Sequence, residues 1–301
     1  MCGSSPDEHP ELMINVIEPG LHATLQDLGR VGYTDIGVGR SGAADLASHR
    51  LANRLLGNDD RAATIEITFG GFSFRLTAAA TISLTGARCP IRDSPTMDWN
   101  RAHSLPAGAV VTLGVPAAGL RTYLAVRGGL AAEEVLGSRS TDTLSGLGPQ
   151  VLEAGTTLAI GTLISGDPAA DPVVVTAAEH AGPRRLLVFP GPRLDWFTAE
   201  AWQRLLSSPW TMQADSNRIG YRLSGVLLTR SRAGELPSEA TLPGAVQVPP
   251  DGQPIVLGPD APVTGGYPVL GVVPRAELDQ LAQCRPGDVI RFQEKRKRTE
   301  G

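Results

Sequence analysis

The chain has 301 residues, 42% of them hydrophobic and 19% charged, with a formal net charge of −4. That composition describes a globular protein with enough length for one large domain or two ordinary ones, and it gives no electrostatic reason to expect nucleic-acid binding. No run of about 18 apolar residues is present to span a bilayer.

In chain order, MINVIEPGLHAT opens with apolar Ile14, Val16 and Ile17, as a strand at the edge of a core would. LQDLGRVGY (25–33) then crowds Gln26, Asp27 and Arg30 among Gly29 and Gly32, more polar chemistry than a turn requires. GVGRSG (37–42) matches the dinucleotide pattern GxGxxG, but strands follow strands here and no suitable acid lies about twenty residues on, so a Rossmann site is excluded. The spacing predicts a helix over SGAADLASHRLANRLLGN, capped by Ser41, ended by Gly57 and buried along Ala44, Ala47, Leu51 and Leu55.

Short strands follow at FSFRLT (72–77), TISLTG (81–86) and RTYLAVRGG (121–129). Three further strands are each led in by a glycine turn: PAGAVVTLG from 106, EAGTTLAIG from 153 and RPGDVIRF from 285. ISGDPAADP (164–172) and AEHAGP (178–183) read as a linker around a short strand VVVT. Beyond it come the strand RRLLVFPG (184–191), a helix from Thr198 that stops before Pro209, the strand PIVLG (254–258) and the helix RAELDQLAQC. Many short strands and three helices predict a mainly β protein of barrel or sandwich type. The expected division is a disordered N-terminus at 1–12, β domains at 13–180 and 181–294, and a disordered basic tail at 295–301.

The N-terminus MCGSSPDEHP has neither the charged start nor the apolar stretch of a secretory leader. Cys2, Cys89 and Cys284 have no CxxC spacing, and together these features predict reduced thiols in a cytoplasmic protein. His22, His49, His103 and His180 are scattered, so no metal site is expected.

Polar residues gather in three later glycine-rich stretches. SNRIGYRLSG (216–225) holds Asn217, Arg218, Tyr221 and Arg222. ELPSEATLPGAVQVPPDGQPIV (235–256) holds Glu239, Gln247 and Gln253, and APVTGGYPVLG (261–271) holds Gly265, Gly266 and Tyr267. An arginine fork suits a carboxylate or phosphate, and backbone amides at paired glycines complete an anion cradle. These clusters are read together as a binding site.

The stretches EPGLHATLQDLGRVGYTDIGVGRSGAADLASHRLANRLLGN, IEITFGG, GLRTYLAVRGGL, LGSRSTD, SNRIGYRLSG, LPSEATLPGAVQVPPDGQPIVL and TGGYPVLGVV resemble, in order, the signature blocks of the biotin-dependent carboxyltransferase family, also called allophanate hydrolase subunit 2. The resemblance covers about residues 13–294 and implies a pair of cyclophilin-like β-barrel domains. Free-standing members of this length resemble the C subunit of bacterial 5-oxoprolinase, which works with B and A subunits to open 5-oxo-L-proline to L-glutamate with ATP.

That resemblance implies ATP, with Mg2+, at a site shared with a B-like partner, activating the lactam by phosphorylation of its oxygen. Arg30, Arg218 and Arg222 are then expected to neutralise phosphate or substrate carboxylate. Gly265 and Gly266 are expected to give backbone donors, and Tyr221 and Tyr267 to complete the site. Asn217, Gln247 and Gln253 are expected to orient the amide, and Glu66 and Glu239 are candidates for metal or proton duties, with the catalytic base unassigned.

Two alternatives stay open. One is a carboxyltransferase passing CO2 from carboxybiotin to an amide such as urea; the other is a non-enzymatic regulator antagonising a kinase inhibitor. The only lysines, Lys295 and Lys297, sit in a charged tail, so no covalent biotin is expected on this chain.

Overall fold

The computed structural model describes residues 13–93, 97–173, 182–234 and 236–295. The expected strand VVVT, the N-terminal segment and the tail beyond Lys295 lie outside them, but for Val173. The described chain is mainly β with three α-helices. None of these helices is long and apolar enough to cross a membrane.

Two compact units emerge. The first gathers the chain up to Asp27, Ser48–Glu134 and the stretch from Pro149 to residue 173. The opening strand Met13–Pro19 reverses at Gly20 into His22–Gln26. Gly20 is required there: its φ is 68°, and a Cβ would stand 2.3 Å from Gly70 O. The two strands then join different sheets. A six-stranded sheet runs Leu130–Ala131, Thr157–Ile160, Met13–Pro19, Phe72–Leu76, Val110–Leu113, Ile91–Arg92. A five-stranded sheet runs His22–Gln26, Thr64–Thr68, Arg121–Val126, Ala80–Gly86, Ala102–Leu105. Ile14, Phe72 and Phe74 of the first sheet share one core with Leu25, Ile65 and Leu124 of the second.

The other face of the five-stranded sheet is buried as well, but polar. Thr24 pairs with Glu66, Glu66 with Tyr123, and Tyr123 with Thr85 across four strands. The helix Leu46–Leu55 belongs to this layer. Thr85 Oγ1 donates to Ser48 O at 2.7 Å, and Ser83 Oγ donates to Ala52 O at 2.8 Å. This corrects the apolar stripe expected for the helix. It begins at Leu46, Ala44 lies before it, Ala47 is exposed, and the inward residues include His49 and Asn53. Hydrophobic spacing misses such a face because its polar groups are satisfied. Asn53 Nδ2 donates to Ala62 O at 2.8 Å. His49 Nε2 lies 3.0 Å from Asp60 O and Nδ1 lies 2.9 Å from Thr64 Oγ1. Burial pushes the His49 pKa down, against the Asp60 bond and the nearby carboxylates, so the ring is neutral.

The second unit gathers Leu28–Ala47, Val135–Gly148 and the described chain from residue 182. Two segments of the N-terminal half thus cluster with the C-terminal part of the chain. Seven strands close a barrel in the order Arg184–Pro190, Val269–Val272, Ala245–Gln247, Ile255–Leu257, Gly220–Ser224, Trp210–Met212, Val289–Glu294. Parallel pairing of Arg184–Val188 with Ile290–Glu294 closes the ring. Leu186, Trp210, Leu223, Val246, Leu270 and Ile290 fill it. Leu205 of the helix Ala199–Ser207 and Leu281 of the helix Arg275–Ala282 join that core. A separate two-stranded ribbon pairs Glu239–Ala240 with Thr264–Gly265. The described strands thus make one closed barrel, one pair of facing sheets and one two-stranded ribbon.

Candidate functional site

The two inserted segments are held in the second unit by buried ionic chemistry. Asp260 follows Gly258 and Pro259, and its carboxylate is almost wholly buried. Arg218 Nε donates to its Oδ2 at 2.8 Å and Arg218 Nη2 to its Oδ1 at 2.9 Å. Ser41 Oγ adds a bond to Oδ1 at 2.7 Å, while Thr143 N and Oγ1 donate to Oδ2 at 3.0 and 2.8 Å. Burial pushes this carboxyl up, but the Arg218 charge and the donated bonds outweigh it and hold the group below the usual carboxylate range. Arg218 Nη2 also donates to Gly42 O at 2.7 Å.

Ser41 is therefore not a helix cap. It sits in the left-handed region at φ 54°, pinned by its bond to Asp260 and by its N–H on Pro259 O at 3.1 Å.

Arg30, from the turn LQDLGRVGY, is also buried. Its Nε donates to Val135 O at 3.1 Å and its Nη2 to Ser140 O at 2.6 Å, so it ties Leu28–Ala47 to Val135–Gly148. Gly148 has no room for a side chain against this bond, since a Cβ there would meet Ser140 O at 2.1 Å. Arg30 and Arg218, both expected to bind an anion, are buried and engaged by the protein itself. The sequence places arginines in glycine turns for either purpose, and only burial separates the two.

Other expected residues do gather. The ribbon register sets Glu239 opposite Gly265. Gly265 lies against the buried Gln247, where a Cβ would come within 2.8 Å of Nε2. Gly266 O accepts from Leu236 N at 3.2 Å, and the next residue, Tyr267, is exposed. Arg193, which no sequence pattern singles out, is bidentate on Glu239: its Nε donates to Oε2 at 2.9 Å, and its Nη2 donates to Oε1. These hydrogen bonds hold the Glu239 carboxyl below its usual range. Glu239 and Gly265 on the ribbon, with Arg193 on Glu239 and the buried Gln247 against Gly265, make a polar cluster that continues along the chain into Gly266 and the exposed Tyr267.

The remaining candidates serve elsewhere. Asn217 Oδ1 accepts from Ile219 N at 2.8 Å and Gly220 N at 3.2 Å, which shapes the turn into the strand Gly220–Ser224. Arg222 faces solvent and pairs with Asp215 at 3.2 Å. Gln253 bonds both the N and the O of Gly225. Tyr221 is buried in the barrel wall. Glu66 lies in the first unit, where Arg121 Nε donates to Oε1 at 3.2 Å and Tyr123 OH to Oε2 at 2.7 Å. The described residues hold no group of three or more His, Cys, Asp or Glu arranged to hold a metal ion.

Asp260 and Arg193 escape a reading of the sequence for a physical reason: each follows a Gly-Pro pair, where a charged residue reads as the polar end of a turn. The informative signal is the run GPDAP beside SNRIG, two glycine turns carrying opposite charges.

Comparison with known proteins sets these observations in a family. The chain is 39% identical over 285 residues to the 5-oxoprolinase C subunit of Escherichia coli (strain K12), covering 93% of this chain and 90% of that protein. It is 34% identical over 316 residues to the urea amidolyase of Lachancea kluyveri, covering 92% of this chain but only 16% of that one. The crystal structure of the K. lactis urea amidolyase superposes with a TM-score of 0.85 at 29% identity, over 95% of this chain and 19% of that chain. The chain therefore spans less than a fifth of either of these two urea amidolyases. Residues 36–294, which hold the Asp260 network, the ribbon and the barrel, match the model of the carboxyltransferase domain, subdomain A and B, and the chain belongs to that family.

Proposed function

We propose that this chain is the C-type subunit of a cytoplasmic 5-oxoprolinase, contributing the ribbon site to an assembly that opens 5-oxo-L-proline to L-glutamate with ATP. The observation that carries this reading is coextension. The likeness to a 5-oxoprolinase C subunit runs over nearly the whole of both chains, whereas the likeness to urea amidolyase reaches only a small part of a far longer protein.

The residues present do not fit a nucleoside triphosphate. Arg30 and Arg218 are buried on carbonyls and on Asp260, and no Walker pattern supplies a phosphate cradle. In this reading the nucleotide enters on a B-like or A-like partner. This chain's part is positional. Arg193 keeps Glu239 ionised and aimed, and a carboxylate held low in pKa is a weak base but a firm hydrogen-bond acceptor. Glu239 is suited to accept from the lactam N–H, with Gln247 set beside it across Gly265.

The test is reconstitution with B-like and A-like subunits and measurement of ATP-dependent glutamate formation. Glutamate is expected only from the full assembly. Turnover of urea with a carboxybiotin carrier, and none of 5-oxoproline, overturns the reading in favour of carboxyl transfer.

A further inference from the structure

Gln247 combines burial with an unused amide. It is 6% exposed, yet among the described residues its side-chain amide has no hydrogen-bond partner. Gln213, Gln253 and Gln280 of the same unit each donate through Nε2, to Thr211 O, Gly225 O and Glu277 Oε2. A buried amide without a partner lowers stability, so its presence calls for a reason.

The backbone aims this amide at the ribbon. Val246 and Val248 point into the barrel core, so alternation turns Gln247 to the other face, with Ala245. The facing strand Val269–Val272 bulges between its partners to Val246 and Gln247, an irregularity that re-aims side chains beside a site. Gln247 Nε2 comes to lie against Gly265, where a Cβ would stand 2.8 Å from it. Glu239 is the cross-strand partner of Gly265. Directly opposed residues of an antiparallel pair project to one face, with Cβ atoms about 4.5–5.5 Å apart. The face on which a Gly265 side chain would meet Gln247 is therefore the face that carries the Glu239 side chain. Gly265 leaves a slot there. The Nε2 donor stands on one side and the Glu239 carboxylate on the other, with Thr241 Cγ2 only 3.3 Å from the same Cβ position. Arg193 keeps that carboxylate ionised, so it only accepts.

We propose that this slot reads both polar edges of a compact amide, Gln247 Nε2 donating to the carbonyl oxygen while Glu239 accepts from the N–H. The inference rests on the proposed function for placing a lactam at Glu239, and adds Gln247 and Gly265 as the residues that set its chemical class. A donor and an acceptor on one ribbon face select an amide whose C=O and N–H lie on the same side of the C–N bond, as in a lactam or urea. A lactone or an N-alkylated lactam keeps the shape and the carbonyl but has no N–H for Glu239, and is rejected for that reason.

The experiment uses the isolated full chain, with the backbone amide NMR signals of Glu239, Gln247 and Gly265 as reporters. The probes are 5-oxo-L-proline, 2-pyrrolidinone and urea, against N-methylpyrrolidinone and γ-butyrolactone. At least one of the first three is expected to shift these signals saturably, and the last two about tenfold more weakly or less. Gln247→Leu removes the donor and Gly265→Ala pushes the amide aside, and each is expected to weaken binding about tenfold. A second readout needs no ligand. Gln247 has no bond within the protein to lose, so Gln247→Leu is expected to keep or raise the denaturation midpoint.

A lower midpoint in Gln247→Leu shows that the amide serves the fold, and overturns the slot. Equal binding of the two probes without N–H, no shift with any of the other three, or parent-like binding in both variants overturns it too. Glutamate formation by the assembly tests the reaction separately. A slot that takes pyrrolidinone and urea stands even where no glutamate is made, and glutamate made without the slot keeps the reaction but removes Gln247 from it.

Discussion

Asp260 and Glu239 are both carboxylates held by two nitrogens of a single arginine, and their surroundings make them different chemical objects. Asp260 lies out of water and accepts five donated bonds from Arg218, Ser41 and Thr143. Glu239 sits on a two-stranded ribbon, and its side chain and that of Arg193 are both about a third exposed. Both carboxyls are held low, and burial opposes that shift far more strongly at Asp260. The pairing is similar; the solvent is not. A buried pair must stay formed because either partner alone is costly, whereas an exposed pair exchanges with water or a ligand at little cost. Arginine–carboxylate contact is thus no mark of function until burial is known.

The largest expected effect tests the buried side of that contrast. Arg218→Ala leaves Asp260 ionised in a dry setting and should lower stability by about 3–5 kcal/mol, read from chemical denaturation. Arg218→Lys should restore little of it, because an ammonium cannot reproduce the fork on both oxygens and also reach Gly42 O. A loss under about 1 kcal/mol in the alanine variant places Arg218 with the surface pairs and breaks the comparison.

A smaller effect follows from titration. The folded pKa of Asp260 is depressed, so its contribution is fully present above the unfolded value of about 3.9 and is lost as pH falls through the lower folded value. Stability should therefore fall on acidification with a component that Asp260→Asn removes. The variant should be the weaker protein at neutral pH, with the gap narrowing toward about pH 2–3. A gap that stays constant across that range shows that the bonds to Asp260 act without its charge.

The same contrast explains how much is legible in the sequence. Strands with one apolar face and a glycine turn, such as Val110–Leu113, Thr157–Ile160 and Val289–Glu294, are readable because alternation reports a face packed on a core. The helix ended before Pro209 is readable from its breaker. Spacing locates the helix over His49 and Asn53 but turns it to the wrong face, because a satisfied polar residue indoors has the same letter as one in water. Of the residues expected in a site, Glu239, Gly265 and Gln247 lie together, with Gly266 and Tyr267 next along the chain, while Arg30 and Arg218 are buried among the protein's own acceptors. What no local pattern carries is a bond between Ser41 and Asp260, 219 positions apart. The interleaved units depend on bonds of that kind.

The smallest stability effect is expected at the exposed pair, where it sharpens the comparison most. Glu239→Gln keeps the size and hydrogen-bonding capacity of the side chain but removes its charge, and Arg193 is left in solvent, where water satisfies it. The denaturation midpoint should stay at the parent value, as should that of Arg193→Ala. Turnover in the reconstituted assembly should behave differently. If the ribbon positions the lactam, both substitutions should lower glutamate formation about tenfold or more. The loss should fall mainly on kcat if Glu239 acts in the transition state, and mainly on KM if the pair only holds bound substrate. Arg193→Lys should separate charge from geometry: an ammonium keeps Glu239 ionised but does not fix its plane, so partial activity with an unchanged midpoint is the expected outcome. Full activity in all three variants removes the ribbon from the site, and the Glu239–Arg193 contact then joins Arg222–Asp215 as a surface pair.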